Sequence, residues 1–114
     1  MHFQVFKDNL YSKLINLLAL KVPEFQSVFD EGDGVYPIFG EFARFIMMNS
    51  DNQKIINESF DFINIVIEDG GADTEDVVVT ELYEQFYYNS KIEKISREKL
   101  SEKALNLFDK YHHL

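Results

Sequence analysis

The stretch Ile55–Glu68, IINESFDFINIVIE, constrains the fold more than any other part of this sequence. At helical spacing it carries two adjacent apolar rows. Ile56, Phe60, Ile63 and Ile67 make one; Ile55, Phe62 and Val66 make the other, with Ser59 filling the row. Asn57, Glu58, Asp61, Asn64 and Glu68 collect on the opposite side. A broad apolar arc with a narrow polar strip belongs to a helix covered by neighbours on more than one side. Amphipathic segments precede and follow it, so the chain reads as helices packed around a central one.

Taken in order, Phe6, Leu10, Leu14, Leu17 and Leu18 predict a first helix that starts between Phe3 and Asp8 and runs to about Lys21. Val22-Pro23 ends it, because the residue before a proline is pushed out of the helical region. Pro23 also suits a first turn, and a short second helix is expected from Pro23 to about Asp30, burying Phe25, Val28 and Phe29. The run DEGDGVYP reads as a loop. A third helix is predicted from Pro37 or Ile38 to Met48, with Ile38, Phe42 and Phe45 in one row and Phe39, Ala43 and Ile46 in the next. Glu41 and Arg44 face out there as a surface pair. Ser50 or Asp51 is expected to cap the central helix.

After the loop DGGADTED, Asp73 or Thr74 is the expected cap of a fifth helix, with Glu75 and Asp76 in its first turn, where negative charge suits the dipole. Val77-Val78-Val79-Thr80 has strand propensity. Helical spacing decides against it: Val78, Leu82 and Phe86, with Val79, Tyr83 and Tyr87, continue as rows up to Asn89-Ser90. The last helix is expected to start at Ser96, with Ile95 and Leu100 as a hydrophobic staple. Its buried face is Leu100, Ala104, Leu107, Phe108 and Tyr111, and the tail from His112 frays. Glu93–Arg97 and Lys94–Glu98 are four-apart ion pairs. The expectation is an all-α single domain over 1–114, of about six helices, as an antiparallel bundle or a short two-layer helical stack.

With 114 residues, the chain is long enough for one core and too short for two comfortable domains. It has no cysteine, which removes disulfides and thiolate zinc sites and suits a reducing, cytoplasmic setting. No early segment combines a basic start with a long apolar run, so no signal or membrane span is expected. Between Glu24 and Glu84 fifteen acids meet two bases, Arg44 and Lys54; the balance there is −13, and +4 over the rest, within a total of −9. Such a body repels nucleic acid and anionic lipid and attracts cationic protein.

No reaction is written in the sequence. Asp30–Glu41 has the acid at the first and last positions of a calcium loop, but Gly32, Gly34, Val35 and Pro37 misfit its interior. His2, His112 and His113 lie near the chain ends and make no metal set. There is no nucleophile elbow, phosphate loop or dinucleotide pattern. The expectation is therefore a protein that is not an enzyme and carries no metal or cofactor. The feature that remains is a pair of acidic loops: Asp30, Glu31 and Asp33 in the first, Glu68, Asp69, Asp73, Glu75 and Asp76 in the second. Antiparallel packing of the helices between them would bring both to one end of the bundle. Tyr88 points away from the buried row beside it and joins them as a candidate interface residue. The same charge also serves solubility.

Two resemblances follow. Val22-Pro23-Glu24-Phe25 with Phe39-Gly40-Glu41-Phe42-Ala43-Arg44-Phe45 resembles the N-terminal half of a family of small bacterial helical proteins, which implies a helical fold and no activity. In its acidic, cysteine-free, all-helical character the chain is similar to bacterial immunity proteins, including those of contact-dependent growth inhibition. That likeness implies a cognate toxin, plausibly a basic nuclease, whose active site would be occluded. The alternative is a non-catalytic adaptor docking through apolar surface, in which Tyr88 and Met47-Met48 would matter instead. The oligomeric state is left open by the sequence.

Overall fold

A computed structural model describes residues 8–112, and in it the Ile55–Glu68 pattern lies within the longest helix. The helices are α1 (Leu14–Lys21), α2 (Val35–Met48), α3 (Gln53–Asp69), α4 (72–86), α5 (Ser90–Lys99) and α6 (Glu102–Tyr111), with short 3-10 turns at Tyr11–Lys13 and Glu31–Asp33. The described residues form an all-α fold around one apolar core.

Both predicted rows of α3 are buried, and they face different partners. Phe62 meets the rings of Phe39 and Phe42 edge-on, at 5.9 and 5.8 Å. Phe60 lies 5.9 Å from Phe86, which continues through Tyr83 to Phe108. The central helix thus joins two aromatic clusters.

Direction follows from the contacts between helices. Asp8, ahead of α1, reaches Thr74 at the start of α4, while Glu24, after α1, pairs with Lys54 at the start of α3. α1 is therefore antiparallel to α3. Tyr36 reaches Asp76, and Gln85 donates to the Gly40 carbonyl, so α2 and α4 run parallel. Tyr83 and Tyr87 donate to the carbonyls of Ala104 and Phe108, at 3.0 and 2.7 Å, so α4 and α6 are parallel too. Four helices start at one end of the molecule, and α3 returns to that end.

Several expected details are corrected. Pro23–Asp30 is not a helix. α1 and α2 run the same way, so their link must travel back along the molecule. Extended chain covers roughly 3.3 Å per residue against about 1.5 Å in a helix. Only Phe25 of the expected trio is buried, between Phe42 and Phe45 at 5.3 Å from each; Val28 is 85% exposed and Phe29 is exposed. The Glu41 carboxylate accepts the Val28 N–H at 3.0 Å, so it anchors this arm and does not pair with Arg44. α2 starts at Val35, before the expected Pro37, because Gly34 turns the chain at φ 92 and Pro37 needs no N–H partner in a first turn.

The caps differ as well. Asn52, not Ser50 or Asp51, caps α3 through the Ile55 N–H. Neither Asp73 nor Thr74 caps α4; Gly71 occupies the cap position. The C-terminal third holds two helices where one was expected. Asn89 caps α5, and Ser96 lies inside it, donating to the Ile92 carbonyl at 2.8 Å. Leu100 then turns extended, and Ser101 caps α6. Leu107 is half-buried and Tyr111 is 43% exposed, so the buried face of α6 is narrower than expected. Glu93–Arg97 is present at 3.5 Å, and Arg97 also reaches Asp109 at 2.9 Å; among the described residues Lys94 and Glu98 form no ion pair. His112 does not fray: it stacks on Tyr87 and lies 2.6 Å from Glu93. His2, His113 and the expected helix start near Phe3 lie outside the described residues.

The valine run is helical, in a particular way. Ala72–Val77 and Glu84–Phe86 are α, but Val78–Tyr83 between them is a π turn. The four-residue spacing of Val78, Leu82 and Phe86 is its signature. A regular helix advances about 100° per residue, so positions four apart drift about 40° at each step. One extra residue in a π turn cancels most of that drift over three steps. The buried rows stay in line, and so does the outer row Asp76, Thr80, Glu84 and Tyr88, each exposed.

Candidate functional site

At the end where four helices start, N–H groups point outward and the dipoles favour negative charge. Asp8, Asp33, Asp73, Glu75, Asp76 and Glu102 stand at or just before those starts. Asp8 does the most bonding. Its carboxylate accepts the N–H groups of Leu10 and Tyr11 at 3.2 and 3.1 Å and of Thr74 at 2.7 Å, so one side chain closes the first turn and covers the start of α4. Burial alone would raise its pKa; the hydrogen bonds from Thr74, Gly71 and Tyr11 outweigh burial and hold the carboxyl below its ordinary range. A depressed folded pKa adds stability that is complete above the unfolded value of about 3.8 and is lost as the pH falls through the lower folded one. Asp8→Ala should cost about 1–2 kcal/mol at pH 7. In urea melts the gap to the parent should narrow below pH 3.8; a gap that stays constant from pH 7 to 3 would contradict this assignment.

The acidic residues singled out from sequence are distributed as follows. The Asp76 carboxylate accepts the Tyr36 hydroxyl, which joins the starts of α2 and α4. That hydrogen bond, with burial, raises the Tyr36 pKa; Tyr11 is raised by burial and then by Asp73, Asp76 and Asp8. Asp33 accepts the Asp30 N–H at 3.0 Å, closing the turn ahead of α2. The helices therefore bring both loops to the same end. Asp30 and Glu31 also line an apolar hollow of about 290 Å³ with Ile15, Leu18, Phe25 and Ile38. Glu68 and Asp69 occupy the last turn of α3, against its dipole, where a cation would be favoured. Lys103 supplies one by reaching the Glu68 carbonyl at 3.4 Å.

Tyr88 is not at this end. It lies just past the far end of α4 and is 90% exposed; Met48, at the end of α2, is 85% exposed. Two hollows flank the exposed row of α4. One, about 330 Å³, lies toward α6 and is lined by Glu75, Asp76, Val79, Leu107 and Tyr111. The other, about 500 Å³, lies toward α2 and is lined by Met47, Gln85, Tyr88 and Asn89. Thr80 and Glu84, on the crest between them, line both. Half-buried Glu81, beside Gly40, has its carboxyl pKa raised by burial, with Arg44 opposing. Arg44 is exposed and bears on Glu81 instead of Glu41.

Sequence reasoning missed Asp8, Asn64 and the tyrosine pair. Asn64 accepts the Ser101 N–H at 2.8 Å and donates to the Lys99 carbonyl at 3.0 Å, holding the α5–α6 corner. An acid just before an apolar helical run was the readable sign for Asp8. Among the described residues no group of three or more histidines and acids is arranged to hold a metal ion, and no helix is long and apolar enough to cross a membrane.

Over the described residues, fold and surface together define six helices in an all-α arrangement with an acidic end. The chain belongs to the family described as a domain of unknown function, DUF7674, whose model matches residues 15–113. No curated protein and no solved structure matches it.

Proposed function

We propose that this is a binding protein that captures a basic protein partner through its acidic end, as an immunity protein neutralises a toxin, plausibly a nuclease. One observation carries the reading: Glu68 and Asp69 stand in the last turn of α3, where helix electrostatics disfavour them. The acids at the helix starts have a structural reason to be there. These two do not, and a local rule broken without an evident structural gain fits a surface kept for a partner. A cationic cleft that met this end would be covered and cut off from nucleic acid. The cysteine-free composition suits action in the cytoplasm.

The test is kinetic. A basic toxin domain encoded beside this chain is mixed with it in stopped flow over a range of salt. The association rate should fall steeply as salt rises. Reversing Asp69, Asp73 and Asp76 together to lysine should slow association by about tenfold or more and flatten the salt dependence. An unchanged rate would remove the electrostatic mechanism. The adaptor alternative rests on exposed Met48 and Tyr88. It predicts the opposite response to salt, self-association that strengthens as salt rises, read by sedimentation.

A further inference from the structure

We propose that the apolar hollow beside the 22–34 link takes one anchor from the basic partner: a single large apolar side chain flanked by lysine or arginine. The inference rests on the reading of the acidic end above and names the point at which that partner is gripped.

The hollow joins an apolar lining to anionic residues. Buried Leu18, Phe25 and Ile38 line it together with half-buried Ile15 and exposed Ala19. Exposed Asp30 and Glu31 line it too, and no lysine or arginine does. Among the described residues the Glu31 carboxylate enters no ion pair. The link beside the hollow is held at three points. Phe25 packs between Phe42 and Phe45. The Glu41 carboxylate accepts the Val28 N–H at 3.0 Å, and the Asp33 carboxylate accepts the Asp30 N–H at 3.0 Å. Phe29, between the last two, lines the hollow but stays 38% exposed and does not fill it. A pocket fixed before the partner arrives lowers the ordering cost of binding. At about 290 Å³ it lies at the small end of ligand pockets, which suits one side chain better than a cofactor. An apolar anchor in such a pocket is the usual centre of an interface, and its cationic neighbours would meet Asp30 and Glu31.

Other occupants fit less well. A phosphate backbone would meet two carboxylates. A second copy of this chain brings a net charge of −9 to an end that is already acidic. Residues 1–7 of the chain itself include Phe3, Val5 and Phe6, so substitutions there belong in the test.

The probe is a fluorescein-labelled peptide in which one phenylalanine is flanked on each side by a pair of lysines. Its control has serine for the phenylalanine and the same charge. Anisotropy follows binding to the full chain, and circular dichroism confirms that each variant is folded. The phenylalanine peptide should bind about tenfold more tightly than the serine one, and both should weaken as salt rises. Ala19→Phe fills the hollow from an exposed position; it should abolish the preference and leave binding of the serine peptide as it was. Asp69→Lys should weaken both peptides alike and keep the preference. Equal binding of the two peptides, or a preference that survives Ala19→Phe, would overturn the hollow and leave acidic capture standing. Tighter binding of the phenylalanine peptide in a Phe3→Ser, Phe6→Ser variant would place the chain's own start in the hollow and overturn the partner. Binding that declines as the chain's own concentration rises would place a second copy there, with the same consequence. Failure of both peptides to bind would overturn both readings.

Discussion

Phe62→Ala should lower the unfolding free energy by about 3–5 kcal/mol, the usual cost of deleting a fully buried phenylalanine. Phe62 has no exposed surface, and its ring lies edge-on to Phe39 and Phe42. Phe42 in turn packs on Phe25, which with Val22 pins the 22–34 link to the core. The cavity would therefore loosen α2 and that link together, leaving the neighbours little room to collapse. For a protein of this size the thermal midpoint should drop by on the order of 15 °C. The transition should also stay single. α3 sends Phe62 to one aromatic cluster and Phe60 to the other, so neither cluster can melt without unseating the helix that joins them. Melts followed by far-ultraviolet circular dichroism and by the near-ultraviolet signal of the tyrosines should coincide. Two separated transitions, or a loss below about 1 kcal/mol, would show that the clusters are independent or that Phe62 is poorly packed.

How far the fold could be read from the chain depended on the reach of each signal. The two rows of α3 and those of α2 were legible because each is a local repeat that packing reinforces. The valine run was legible as helix for the same reason, but its π turn was not, although a period of four instead of 3.6 was printed in Val78, Leu82 and Phe86. Pro23–Asp30 misled because Pro23 opens helices well and Phe25, Val28 and Phe29 fall at helical spacing. The parallel course of α1 and α2, which requires an extended link, is a tertiary fact with no local trace. The caps were the least legible. Asp8 covers Thr74 across 66 residues, and no reading of the DGGADTED loop could supply that partner. Of the candidate interface, the shared end of the two acidic loops followed from antiparallel helix order alone. The alignment of Asp76 with Tyr88 needed the phase correction that only the π turn provides.

Gly70→Ala should be the most damaging substitution at any glycine, at about 3 kcal/mol, although its backbone is one that any residue adopts. The reason is proximity. A methyl carbon there would sit 2.5 Å from the Val66 carbonyl oxygen and 2.7 Å from both Cβ and Cγ2 of Thr74. The Val66 carbonyl already accepts the Gly70 N–H at 2.8 Å, so it cannot retreat without opening the end of α3. Thr74 is fully buried, and its N–H is held by Asp8. Gly34 makes the contrast: its φ of 92 strains any substituent, but open space surrounds its Cβ position. Gly34→Ala should cost about 1–3 kcal/mol, because φ 92 with ψ 168 is a conformation nearly confined to glycine. Adding Thr74→Ala to Gly70→Ala removes the Cγ2 clash but leaves those with the Thr74 Cβ and the Val66 carbonyl, so the double variant should recover only part of the loss. Strict additivity in the double-mutant cycle would disprove the contact. Asp69 is the last residue of α3, directly before Gly70, so Gly70→Ala should also weaken capture of a basic partner by more than its net charge predicts, since that charge is unchanged. The comparison to make is with Phe108→Ala, which loses stability in the core away from both acidic loops and should leave the association rate as it was.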